Sequence, residues 1–76
     1  MKIYCDGVTI DVDAEYRKRG FDSLPPTPTM RAWDIRECAG RPHNYAVWLG
    51  GKPLKIEEAI PLTDGMVFDC VPPANY

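Results

Sequence analysis

Few side chains in this chain could carry covalent or acid–base chemistry. Cysteine occurs three times, at Cys5, Cys38 and Cys70. The count is odd, the spacings are wide, and there is no CxxC pair or Cys/His cluster, so neither a disulfide framework nor a zinc site is suggested. Each cysteine sits in an apolar pattern, and all three read as buried thiols serving as small hydrophobes. Cys38 falls on the inward stripe of a helix, whereas a reactive thiol needs exposure and positive neighbours. The single histidine, His43, lies between Pro42 and Asn44 and reads as a surface loop residue. Asp6, Asp11 and Asp13 cluster near a turn but lack the spacing of a calcium loop. With no nucleophile–base pair visible, the chain is expected not to be an enzyme, and no metal or cofactor is expected. What is left to act is a surface, or the tail Pro72-Pro73-Ala74-Asn75-Tyr76.

The elements that position those residues must fit a chain of 76 residues, which suits one domain. A domain so short buries only about 60% of its unfolded surface. Hydrophobic residues make up 45% and charged residues 26%, values that argue against disorder. Net charge is −2 and no basic block exists, which argues against nucleic acid as a partner. No apolar run approaches the roughly 20 residues that span a bilayer, and no signal-peptide core opens the chain. A cytoplasmic protein without membrane contact is expected.

Met1, Ile3 and Cys5 alternate with Lys2 and Tyr4. Asp6-Gly7 favours a two-residue type I′ turn, and Val8, Ile10 and Val12 alternate after it. That turn would set Cys5 opposite Val8, Ile3 opposite Ile10 and Met1 opposite Val12, so all six apolar side chains share a face. Residues 13–28 show no clear period and are expected to form a long loop, pinned by Phe21 and Leu24. A helix is expected from Thr27 or Thr29, with Pro28 at its first position, to Gly40 as its left-handed cap. Its stripe of Ala32, Ile35, Cys38 and Ala39 should face a sheet. Met30 and Trp33 lie off that stripe and need a cover, either the loop or a partner.

Residues 44–49 read as a strand, Gly50-Gly51 as a turn, and residues 52–56 as a short edge strand limited by Pro53. Residues 57–62 read as a compact turn anchored by Ile60 and Leu62. Residues 66–71 form the last strand, with Phe68 and Cys70 inward because the opposite register would bury Asp69. The order is strand, strand, helix, strand, short strand, strand: an α+β architecture with one helix on one face of a mixed sheet.

That order resembles ubiquitin. Met1, Ile3 and Cys5 alternate inward as its opening strand does, and Gly51-Lys52 after a strand is similar too. Two segments are closer to the bacterial multiubiquitin-type domains: Asp34-Ile35-Arg36-Glu37-Cys38-Ala39-Gly40, and Asn44-Tyr45-Ala46-Val47-Trp48-Leu49 with the later Ile60-Pro61-Leu62-Thr63-Asp64-Gly65-Met66-Val67-Phe68. The resemblance covers nearly all of the chain outside residues 13–28. It implies a β-grasp domain over residues 1–71, with a mixed sheet of four to five strands, followed by a tail at 72–76. It further implies a protein modifier served by a ubiquitin-activating-like enzyme, a conjugating-like enzyme and a processing peptidase. In ubiquitin the tail ends Gly-Gly; here it ends Ala74-Asn75-Tyr76. Three readings stay open: removal of Tyr76 to leave Asn75 terminal, use of a non-glycine carboxylate, or no conjugation at all. The last makes the chain a β-grasp interaction or assembly module. A sulfur-carrier role, which also uses a Gly-Gly end, is more distant.

Ubiquitin meets its partners through an apolar patch on the outer face of its sheet. Ala46, Trp48 and Val71 should sit there, with Lys52 nearby, and an exposed Trp is a good interface anchor. Phe21, Leu24, Met30 and Trp33 form a second candidate patch. Two apolar surfaces on different sides would permit head-to-tail self-association, including open filaments.

Overall fold

The structure, a computed structural model, describes residues 1–74. It is a small α+β domain. Strands β1 (Lys2–Cys5), β2 (Val8–Asp11), β4 (Ala46–Leu49), β5 (Lys52–Pro53) and β7 (Val67–Val71) make a five-stranded mixed sheet in the order β2-β1-β7-β4-β5. The first and last strands run parallel at its centre, and every other pair is antiparallel. Strands β3 (Thr29–Arg31) and β6 (Ala59–Pro61) form a separate antiparallel pair. Helices α1 (Val12–Lys18) and α2 (Ala32–Cys38) complete the elements of the described residues. Among the described residues no helix is long and apolar enough to cross a membrane.

The β1–β2 hairpin follows from its turn. Asp6 and Gly7 both take positive φ, +52° and +78°, which a type I′ turn requires at its two central positions. Cys5 then pairs with Val8 and Ile3 with Ile10. Ile3, Cys5, Ile10, Val47, Phe68 and Cys70 all face the core. They oppose one another across the sheet: Ile3 with Ile10, Cys5 with Phe68, Val47 with Cys70. The covering layer supplies Val12 and Tyr16 from α1, Ala32 and Ile35 from α2, Ala39 just beyond it, and Met30, Ile60 and Leu62.

The segment after the hairpin departs from expectation. Residues 13–28 are not a structureless loop, because α1 begins as soon as β2 ends. Asp11 caps it, its side chain accepting from the Ala14 amide at 3.3 Å. Acidic residues lie in the first turn and basic residues in the last, matching the helix dipole. Val12 is therefore the first residue of a helix and not the end of a strand.

The main helix also starts later than expected. Neither Thr27 nor Thr29 caps it. Thr29–Arg31 is extended and pairs with Ala59–Pro61, which places Met30 beside Ile60 in the core. The N-cap residue of α2, Arg31, makes no side-chain cap hydrogen bond. The first amides of α2 are instead satisfied by the backbone: Ala32 donates to the Glu58 carbonyl at 3.1 Å and Trp33 to that of Ile56 at 3.0 Å. Gly40, at φ +71°, closes the helix in the left-handed conformation, and the Arg41 amide returns to the Arg36 carbonyl. Two helices, not one, thus cover the inner face.

Candidate partner-binding face

Period two in the strands decides which side chains reach the outer face. On β7, the central strand, Val67 is 60% exposed, Asp69 is exposed and Val71 is half-buried. Register adds the neighbours. Tyr4 of β1 lies opposite Val67, Trp48 of β4 opposite Asp69, and Ala46 opposite Val71. Pro53 of β5 lies on the far side of Trp48. The outcome is a band of apolar and aromatic groups crossing four strands, interrupted by the carboxylate of Asp69. Trp48 is half-buried within that band.

Ala46, Trp48 and Val71 therefore share one face. Lys52 does not join them: it pairs with Leu49, whose side of the ribbon is the one Phe68 faces, and Pro53 takes the place beside Trp48. The two-residue Gly50-Gly51 turn sets this register. Tyr4, Val67, Asp69 and Pro53 were absent from the expected patch. The alternation in the sequence gives their facing, but only the adjacency of the first and last strands brings Tyr4 beside Val67.

The tail leaves from the middle of this sheet. Pro72, Pro73 and Ala74 are exposed; the expectations placed on Asn75 and Tyr76 lie outside the described residues. The root of the tail is held by one carboxylate. Asp6 accepts from the Cys70 amide at 3.0 Å and from Arg41 Nε at 2.9 Å, while its own amide donates to the Phe68 carbonyl at 3.3 Å. The turn between β1 and β2, the loop after α2 and the end of β7 meet at that side chain.

The second expected patch divides. Met30 is core, and Leu24 packs partly against the core. Phe21, 52% exposed, meets the Tyr16 ring edge to face at 5.4 Å. Trp33 is 40% exposed and lines a groove of about 260 Å³ with Arg19, Thr29, Arg31, Asp34 and Ala59. Arg19 is committed there, paired with Asp34 at 2.6 Å and stacked 5.0 Å from the Tyr16 ring centre. The Tyr16 hydroxyl accepts from the Thr29 amide at 2.7 Å and donates to the Thr29 carbonyl at 3.2 Å, tying α1 to β3.

The thiols are placed as follows. Cys5 and Cys70 are buried on the core face, and Cys38 is half-buried. Ligand atoms of Glu15, Asp34 and Cys38 lie within 4.8 Å of one another, the arrangement among the described residues nearest to a metal set. Both carboxylates already hold cations, Glu15 with Lys18 at 2.9 Å and Asp34 with Arg19. Burial, followed by the charge of Glu15, pushes the Cys38 thiol up to about 12. It is a protonated donor to Glu15, at 3.4 Å. His43 is exposed.

Comparison of the chain with known protein families, with characterised proteins and with solved structures finds no match in any of the three.

Proposed function

We propose that this chain is a ubiquitin-like β-grasp domain: a protein that others bind and attach, of the kind found in bacterial ubiquitination-like systems. One observation carries the reading. The apolar band of Tyr4, Ala46, Trp48, Val67 and Val71 is continuous with the root of an exposed tail on the central strand. The strand order β2-β1-β7-β4-β5, with parallel first and last strands, supports the fold half of the reading. In this reading the band docks an activating-like or conjugating-like enzyme. The tail then carries its carboxylate, native or exposed by a processing peptidase, into the enzyme for adenylation and transfer to a nucleophile on the target.

A second reading has its own observation. Pro72-Pro73 holds the tail extended and stiff where a glycine pair would let it thread a narrow channel. That favours an interaction or assembly module that is never conjugated and uses the same band.

The test is to add tagged protein and ATP to extract of its source cells and analyse captured species by intact and peptide mass. Adducts joined through the chain's C-terminal carboxylate, reduced at least tenfold by Val67→Lys, are expected for a modifier. Stable capture without adducts, still lost in Val67→Lys, selects the interaction module. Capture indifferent to Val67→Lys and Trp48→Ala sinks both.

A further inference from the structure

The first and last strands each bring one cysteine to the inner face. Cys5 and Cys70 sit with their sulfurs 3.3 Å apart, 65 positions apart in sequence. Nothing in the outer face or the tail chemistry uses them. A disulfide needs sulfurs about 2.05 Å apart, so closure asks for a movement of roughly 1.3 Å, which adjustment of the two side chains and a small shift of the strands would supply. The third thiol, Cys38, is engaged with Glu15 and not with a sulfur.

We propose that Cys5 and Cys70 form a dithiol–disulfide site that cross-links β1 to β7 when a low-molecular-weight disulfide oxidises it. Cys70 is the sulfur reached first, since it is 8% exposed and Cys5 is fully buried. Cys70 also lies two positions before the exposed tail, where local opening of the strand end costs least. The Cys70 thiol gives up its proton and its sulfur attacks the reagent disulfide. The reagent's S–S bond breaks, and the departing thiolate takes up a proton. Cys5 then loses its proton, attacks the Cys70 sulfur of the mixed disulfide and expels the second thiolate, which is protonated in turn. The protein loses two electrons and two protons; the reagent gains them as two thiols.

Burial pushes both thiols upward, so neither is a thiolate in the closed fold. Formation should therefore be slow and should follow opening of the β7 end. The bond then closes a long loop and fixes covalently a strand end that is otherwise held by its pairing with β4 and by the Asp6 contact.

The experiment uses Cys38→Ser protein, in which the proposed pair is intact. Native protein is held with oxidised glutathione, then quenched, and a second sample is kept in dithiothreitol. The expected result is a mass lower by about 2 Da, a Cys5–Cys70 peptide after proteolysis, and a Tm raised by roughly 10 °C over the reduced sample. Cys5→Ala in the same background should stop at the glutathione adduct on Cys70. A linkage that forms only in chain unfolded by denaturant, or a linked form whose Tm falls, overturns the proposal. So does absence of the linkage from native Cys38→Ser protein after prolonged exposure, whether or not Cys5→Ala folds.

Discussion

The two faces of the five-stranded sheet are built from the same strands, one residue out of step, and they differ in how much of them is covered. The inner face carries Ile3, Cys5, Ile10, Val47, Phe68 and Cys70, all removed from water. The outer face carries Tyr4, Ala46, Trp48, Val67 and Val71 at partial or full exposure, with Asp69 among them. Both are apolar enough to bury, yet only one is covered. Stability resides on the covered face because burial of apolar area supplies most of the folding free energy. The open face keeps much of its area in water, so its residues should be nearly free to change without unfolding the chain.

The adjacent pair Phe68 and Val67 gives the sharpest contrast. Phe68→Ala removes a ring from the centre of the core and should cost about 3–5 kcal/mol, enough to unfold much of a domain this small. Val67→Ala should stay within about 0.5 kcal/mol. Urea unfolding of both variants reads the difference, and comparable losses would break the distinction between the faces.

Asp6 holds the edge where the two faces meet the tail. Asp6→Ala leaves the Cys70 amide without its acceptor, frees Arg41 and puts a residue with no local hydrogen bond at φ +52°. A loss of about 2–3 kcal/mol is expected. Asp6→Asn keeps an acceptor and tolerates the left-handed conformation, so it should recover at least half of that loss. Faster amide exchange confined to residues 68–71 in Asp6→Asn would localise the effect.

Asp11 lies on the exposed side of β2 yet caps α1, so its value is in hydrogen bonding and not in burial. Asp11→Ala should cost about 1 kcal/mol by thermal unfolding, and Asp11→Ser less.

The Met1 ammonium and Asp13 form a partly exposed pair at 2.5 Å. The mutual hydrogen bond lowers the Asp13 carboxyl from 3.8 and raises the ammonium from 8.0. The lowered carboxyl contributes above 3.8 and loses its contribution as pH falls through its folded value. The raised ammonium contributes below 8.0 and loses its contribution as pH rises through its folded value. Asp13→Asn should therefore flatten a small stability plateau between about pH 4 and 8, measured by Tm across that range. A profile identical to that of the parent chain would show the pair to be inert, as many exposed pairs are.

The frame was legible in the sequence because alternation, a turn dipeptide and the inward demand of Phe68 and Cys70 all agree. The stretch 12–31 was not. Alternation through Ile10 claims Val12 for the strand, although Asp11, the acidic Asp13 and Glu15, the basic Arg17 and Lys18, and Gly20 together spell a capped helix. Pro28 and Thr29 carry the marks of a helix start, yet Met30 needs cover and finds it by pairing with Ile60, a contact 30 residues away that no local pattern encodes. The carbonyls that cap α2, those of Glu58 and Ile56, are likewise far along the chain. For the candidate face, alternation located Ala46, Trp48 and Val71, while Lys52 was misplaced because a two-residue turn reverses facing in one step.

The parallel partnership of β1 and β7 has a consequence for synthesis. Within the domain, β1 is made first and must wait for β7 before its inner edge is paired, and the hairpin it makes with β2 is meanwhile only marginally stable. Closing the sheet therefore demands the longest loop the domain contains, which slows the step and makes it all-or-none. A nascent chain stalled before Phe68 would present the unpaired edge of β1 and an uncovered inner face to whatever is nearby. Such a domain ripens late and at once, and its quality-sensitive interval ends only when the strand that bears the tail arrives.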